Sequence, residues 1–246
     1  MTNQAIIRSV LELLADVPAE GRRVLDVSCK RGEILKSLKE RGFAVQGTQF
    51  AADAPGVDGI PVDRGVNLLN GLPYAAETFD VVLLVEVIEH LENHRAALSE
   101  LARVLKPGGI LILTTPNVAF IIMRAMLALG QFNYGKAGIL DRTHTRLFTF
   151  RTLRRLLSDE GFRIKELRGV PAPFPKVLGN GLLGRAALGA NLALIRLSRT
   201  LFSYQIYVEA ESTPDVSFVL ADSKRRSSTR PPGPRELLNS DPPAPH

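Results

Sequence analysis

His90 and His144 are the residues of this chain best suited to moving a proton. An imidazole titrates near neutrality, so a histidine beside a reacting hydroxyl or amine can take its proton. His144, in Asp141-Arg-Thr-His-Thr-Arg-Leu-Phe-Thr149, is the first candidate for such a base, and His90, which follows Glu89, is the second. A different set of residues could hold a ligand. Asp26-Val-Ser-Cys-Lys-Arg-Gly32 sits between a short apolar run and a helix pattern, where an open α/β sheet receives its ligands. Other chemistries find no support. There is no Gly-x-Ser-x-Gly elbow and no Gly-Lys-Ser/Thr phosphate loop. Ser28 and Lys30 break the dinucleotide fingerprint, and no His/Cys pair stands at metal spacing, so no metal is expected.

The elements that must position these residues alternate in type. A helical spacing of Ile6, Ile7, Val10, Leu11, Leu13 and Leu14 ends at Pro18 and Gly21. Strands are predicted at Arg23–Val27, Phe43–Thr48, Gly59–Val62, Phe79–Val85 and Ile110–Thr114, with helices over Glu33–Arg41 and Asn93–Leu105 and a turn at Pro107-Gly-Gly109. A helix capped by Thr149 and closed by Gly161 leads to a sixth strand, Arg163–Leu167. Tyr204–Ala210 reads as an added edge strand and Val216–Ala221 as one more. Strand and helix in alternation imply a mostly parallel, doubly wound sheet of about seven strands, covered on both faces.

The chain has 246 residues, enough for one substantial core, and its 45% hydrophobic and 23% charged residues are ordinary for a globular protein. One cysteine, Cys29, excludes an internal disulfide and fits a reducing compartment; with no secretory signal at the N-terminus, a cytoplasmic location is expected. The net charge is +6, but residues 223–246 hold five basic and two acidic residues, half of that excess. Basic residues are not gathered on one element or interleaved with aromatics, so nucleic acid is not expected as a partner. The expected organisation is one domain over 1–222, carrying an apolar insert at 171–202, and a disordered Pro/Ser/Arg-rich tail over 223–246.

The run Phe79-Asp-Val-Val-Leu-Leu-Val-Glu-Val-Ile-Glu-His-Leu91 leads into Leu101-Ala-Arg-Val-Leu-Lys-Pro-Gly-Gly109 and Ile110-Leu-Ile-Leu-Thr-Thr-Pro-Asn117. Together with the block around His144 and Glu160-Gly-Phe162, this resembles the class I S-adenosylmethionine-dependent methyltransferases of small molecules, over roughly residues 20–168. The resemblance implies a seven-stranded Rossmann-like sheet and S-adenosylmethionine as cofactor. It also implies a first loop at Asp26, Ser28, Lys30 and Gly32 against the methionine part of that cofactor. Gln49 stands where an acid holds the ribose, with Asp53 close by, Asn67 on the adenine side, and Glu86 as a further cofactor contact. The sequence departs from the family at Ser28 and Lys30, where glycines are usual, and at Gln49 and Asn67, where acids are usual.

The insert bears on the acceptor. From Leu182 to Phe202 a helical wheel at about 100° per residue groups Arg185, Arg196 and Arg199, opposite Leu183, Leu194, Leu197 and Leu201. Three arginines argue against a membrane span. Two readings stay open: a lid that packs its leucines on the domain, or a helix on a membrane surface at the entrance for a lipid-like substrate, with Phe120–Leu129 as the opposite wall. The expected function is methyl transfer to a small or lipid-linked acceptor, peripheral membrane contact through 182–202 being the partner call. The alternatives are a scaffolding module on the same fold and, last, a nicotinamide-dependent oxidoreductase.

Overall fold

The computed structural model describes residues 4–15, 17–175, 179 and 181–213. These fall within one unit, Met1–Thr213; the calls on Val216–Ala221 and on the tail 223–246 lie outside the described residues.

Seven strands form one sheet: β1 (Arg23–Asp26), β2 (Ala44–Gln49), β3 (Val62–Arg64), β4 (Phe79–Val85), β5 (Leu105–Pro116), β6 (Phe162–Val170) and β7 (Gln205–Ser212). Their order is β3-β2-β1-β4-β5-β7-β6. The β3-β2-β1-β4-β5 run is parallel, and β7 is antiparallel to both of its neighbours. The run Val81–Leu84 is wholly buried because helices cover both faces. On one face α3 (His94–Val104) and α5 (Phe150–Asp159) add Leu98, Leu101, Leu153 and Leu157 to the core. On the other, α1 (Gln4–Leu13) and α2 (Glu33–Glu40) add Ile6, Val10, Leu35 and Leu38. Asn93 caps α3 through Ala96 N, and Thr149 caps α5 in a reciprocal box with Thr152, so the helix starts are fixed as their side chains dictate.

Four expectations are corrected. The third strand is Val62–Arg64, since Gly59 takes φ 68° and a turn from Val57 to Ile60 occupies the predicted start. Pro107-Gly-Gly109 does not end a turn outside the sheet. Strand β5 runs through it with a shift of register between Phe79 and Val81, and Gly108 takes φ 74°. Strand β7 is no edge strand. It lies between β5 and β6, and Tyr207, on the face opposite Ile206 and Val208, is fully buried among the core residues of α1 and α2. Finally, 182–202 is not one helix: α6 (Leu182–Leu197) stops at the extended Ser198, and α7 (Arg199–Phe202) is a separate turn.

Helix α6 docks on the domain chiefly through small and polar residues. Leu182, Leu183 and Leu197 are 87%, 68% and 79% exposed, Leu188 and Ile195 are half-buried, and its buried residues are Gly184 and Asn191. Asn191 holds it in place, accepting from Ala172 N at 3.1 Å and donating to Phe202 O at 2.9 Å. A small residue and an amide can dock where backbone comes close, and at Gly184 a Cβ would fall 2.1 Å from Gly179 O. Arg199 is drawn off the supposed cationic face, donating to Leu167 O at 2.7 Å and lying over the Phe150 ring.

Candidate functional site

The order of the parallel strands reverses between the paired neighbours β1 and β4, and a doubly wound sheet receives ligands beyond the carboxyl ends of its strands at such a point. Asp26 ends β1 and faces a cavity of about 90 Å3 whose wall includes Ser28, Lys30, Glu33, Ile34 and Val85. In the loop that follows, Ser28, Lys30 and Gly32 have φ of 72°, 49° and 67°. The left-handed region is open to glycine and costs other residues roughly 1–2 kcal/mol. The backbone therefore keeps the bends that three alternating glycines would give, although two of the positions carry side chains. Gly32 is required on a further count, because a Cβ there would lie 2.5 Å from Val57 Cγ1.

Lys30 reaches Glu86 at 3.4 Å, and the other Glu86 oxygen accepts from Gln205 Nε2 at 2.7 Å. Glu86, just past β4, also has a positive φ of 54°, and Thr114 holds its amide. Gln49, at the end of β2, donates to Lys30 O at 2.8 Å and to Pro55 O at 3.2 Å. Its Oε1 is buried and finds no donor among the described residues. Asn67 lies on the loop after β3, where its Oδ1 caps the turn Leu68–Asn70 through Leu69 N. Asp53 is exposed.

Burial pushes the Asp26 carboxyl up to about 7, with the Lys30 charge pulling it down, so near neutrality this carboxyl is poised to ionise beside a cationic ligand. Glu89 is likewise pushed up to about 7 by burial, opposed by hydrogen bonds including that from Thr115. Burial lowers the His90 imidazole below its ordinary range.

The residues for proton transfer come together. His90 and His144, 54 positions apart in sequence, have ring centroids 4.8 Å apart. Their Nδ1 atoms lie 3.1 Å from Thr143 O and 2.9 Å from Ile139 O. A carbonyl only accepts, so both Nδ1 atoms carry the proton, and neither Nε2 has a hydrogen-bond partner among the described residues. Glu89 lies beside them, and its backbone oxygen accepts from Thr145 N, Arg146 N and Thr145 Oγ1, which staples the His144 loop to the end of β4. The fold thus brings donor atoms of Glu89, His90 and His144 within 4.8 Å of one another, which sequence spacing does not reveal.

Asp26, Ser28 and Lys30 thus line one cavity; Gln49 and Glu86 are tied to Lys30 by hydrogen bonds, Gly32 completes the same loop, and Asn67 caps a turn of its own. Glu89, Thr115, Asn117 and Tyr204 were missed as site residues. Asn117 is fully buried and donates to Thr200 O and Ser203 O, tying the end of β5 to α7. Tyr204 helps to line an apolar cavity of about 290 Å3 with Phe120, Ile122, Met123, Met126 and Ile139. Helix α4 (Ile121–Ala128) supplies one wall. The other comes from 133–140 and Tyr204, not from the insert as the sequence suggested.

The donors fit S-adenosylmethionine: a glycine-like loop, a carboxyl at the end of β1, and an unpaired acceptor on Gln49. The cavity is small beside the 300–1,000 Å3 of typical ligand sites.

Comparison with known proteins agrees. A ubiquinone biosynthesis O-methyltransferase of Parvibaculum lavamentivorans is 32% identical over 174 residues, 65% of this chain and 66% of that protein. One of Rhizobium etli is 28% identical over 62% of this chain and 64% of the relative. The chain thus spans just under two thirds of the length of these relatives. A solved methyltransferase of Thermotoga maritima, described as a possible histamine N-methyltransferase, shares the fold with a TM-score of 0.59 at 19% identity, covering 86% of this chain and 90% of its own. Residues 2–167 match the family described as methyltransferase domain, and the chain belongs to this family, the class I S-adenosylmethionine-dependent methyltransferases.

Proposed function

We propose that this chain is an enzyme that methylates an oxygen of a small, apolar-tailed acceptor, with S-adenosylmethionine as methyl donor. The observation that carries this reading is the left-handed backbone at Ser28, Lys30 and Gly32 beside Asp26, a cradle kept where the side chains alone argue against it. The cofactor supplies an electrophilic methyl group on a sulfonium. Asp26, Ser28, Gly32 and Gln49 are the residues that would hold it, with Lys30 free to meet its carboxylate once released from Glu86. Catalysis in such a site is largely placement, and holding two reactants in line carries much of the barrier.

His144, with His90 behind it, is the base for an acceptor that must lose a proton. Both unpartnered Nε2 atoms support that role, since a base needs an unprotonated nitrogen whose tautomer is already set. The apolar cavity adjoins this pair through Ile139, whose carbonyl holds His144, and it suits the nonpolar part of an acceptor. The O-methyltransferase names of the relatives support oxygen as the accepting atom.

The acceptor side also suggests a surface. Leu129, Leu182, Leu183 and Leu197 are among the most exposed large apolar residues, and Arg185 and Arg196 are exposed on the same helix as the last three. No described helix is long and apolar enough to cross a membrane. An apolar face beside arginines suits a helix lying on an anionic lipid surface, which would bring a lipid-like acceptor to the entrance. Incubating the protein with labelled S-adenosylmethionine and phenols of increasing alkyl chain length tests the reading. Label is expected in the phenol, rising with chain length. Label in none of them, from protein that binds the cofactor, would overturn the choice of acceptor.

A further inference from the structure

We propose that Tyr204 is the specificity-determining residue of the apolar cavity, its hydroxyl donating a hydrogen bond to an oxygen substituent of the acceptor. This rests on the reading of that cavity as the acceptor site and names the group that gives it selectivity.

The cavity of about 290 Å3 is walled by Phe120, Ile122, Met123, Met126 and Ile139, which offer contact area but no fixed orientation. A pocket of this kind takes its specificity from a few placed polar groups. Tyr204 is half-buried in the wall, and its hydroxyl stands beside Gly138, where a Cβ would lie 3.6 Å from it. Gly138 lines the same cavity, and its φ of 96° favours glycine there. The hydroxyl makes no hydrogen bond to a described residue, whereas that of Tyr74 is spent on Asp63 at 2.7 Å. Asn133, also polar and in the wall, is exposed. A half-buried donor without a protein partner is completed by an oxygen of the ligand.

The phenol is also held in place. Tyr204 N donates to Val170 O at 2.9 Å, and Tyr204 O accepts from Asn117 N at 3.0 Å, so the ends of β5 and β6 clamp its backbone. Strand β7 begins at the next residue, where Gln205 is fixed to Glu86 at 2.7 Å. The Phe120 ring meets the Tyr204 ring edge to face, with centroids 5.8 Å apart. Burial first, and the Glu86 charge second, push the phenol above its ordinary value, so near neutrality it keeps its proton and serves as a donor. A donor fixed before the ligand arrives needs little further ordering. A hydrocarbon of the same shape leaves that donor unpaired, and the cavity discriminates against it on that ground.

The test reads binding without turnover. The chain has three methionines, and Met123 and Met126 both line the cavity, so full-length protein labelled at the methionine methyls reports occupancy by NMR. It is titrated with para-cresol and with toluene. Both compounds should shift the Met123 and Met126 signals, with para-cresol binding about tenfold tighter. Tyr204→Phe should abolish that preference and leave the affinity for toluene unchanged. Tyr134→Phe, at an exposed tyrosine, should keep the preference. Equal affinities in the parent, or a preference that survives Tyr204→Phe, would overturn the role of Tyr204 and leave the cavity as the acceptor site. Signals unmoved by either compound would overturn both. S-adenosylhomocysteine, titrated into the same samples, reports on the cofactor reading separately.

Discussion

Lys30 concentrates the tension in this molecule. It holds a left-handed backbone that costs a non-glycine residue roughly 1–2 kcal/mol, against an exposed ion pair with Glu86 that contributes no more than about 1 kcal/mol. Lys30→Gly is therefore expected to leave stability unchanged or raise it by up to about 1 kcal/mol in urea unfolding. A loss above about 1 kcal/mol would show that the Glu86 pair outweighs the strain. Asp26 gives a pH signature. Its carboxyl titrates near 7 when folded against an ordinary value of 3.8, so between these values the native state holds a proton that the unfolded chain has released. Stability then falls as pH rises through that window, by up to about 1.4 kcal/mol per unit, and levels off above 7. Asp26→Asn should gain on the parent as pH rises from 4 to 7, measured by urea midpoints. A difference that stays constant over that range would contradict the assignment.

The helices and strands were legible to different degrees, for a physical reason. Elements with their own caps and an apolar period, such as α3, α5 and β4, stand where the sequence predicts them. β7 was misread because alternation normally means one solvent face, and here Tyr207 fills the second face with an aromatic side chain. Helix α6 docks chiefly through Gly184 and Asn191, residues that no hydrophobic period reveals. Asn191→Ala should cost about 1–3 kcal/mol, since it leaves Ala172 N and Phe202 O without their partner. Unchanged melting with undiminished resistance of α6 to proteolysis would show that something else holds it. If the exposed leucines meet lipid, Leu182→Asp with Leu183→Asp and Leu197→Asp should reduce flotation with anionic vesicles several-fold. Equal recovery of variant and parent would dismiss the membrane contact.

Taken whole, the molecule separates what it inherits from what it alters. The seven-stranded sheet is that of the family, and the sequence resemblance implies that the side chains at Ser28, Lys30, Gln49 and Asn67 depart from it. Sequence showed those four departures but not that the backbone beneath two of them keeps the glycine-like path, because φ is set by the surrounding loop as much as by residue type. Nor could it place His90 against His144, which depends on the stapling of the 139–146 loop onto Glu89. The account stands or falls on whether this cradle takes its ligand. Calorimetric titration of the full-length protein with S-adenosylhomocysteine measures that directly. Saturable binding of one molecule per chain is predicted, strengthening as pH rises toward 7 and Asp26 ionises. No heat, and no rise in melting temperature at millimolar ligand, would contradict it.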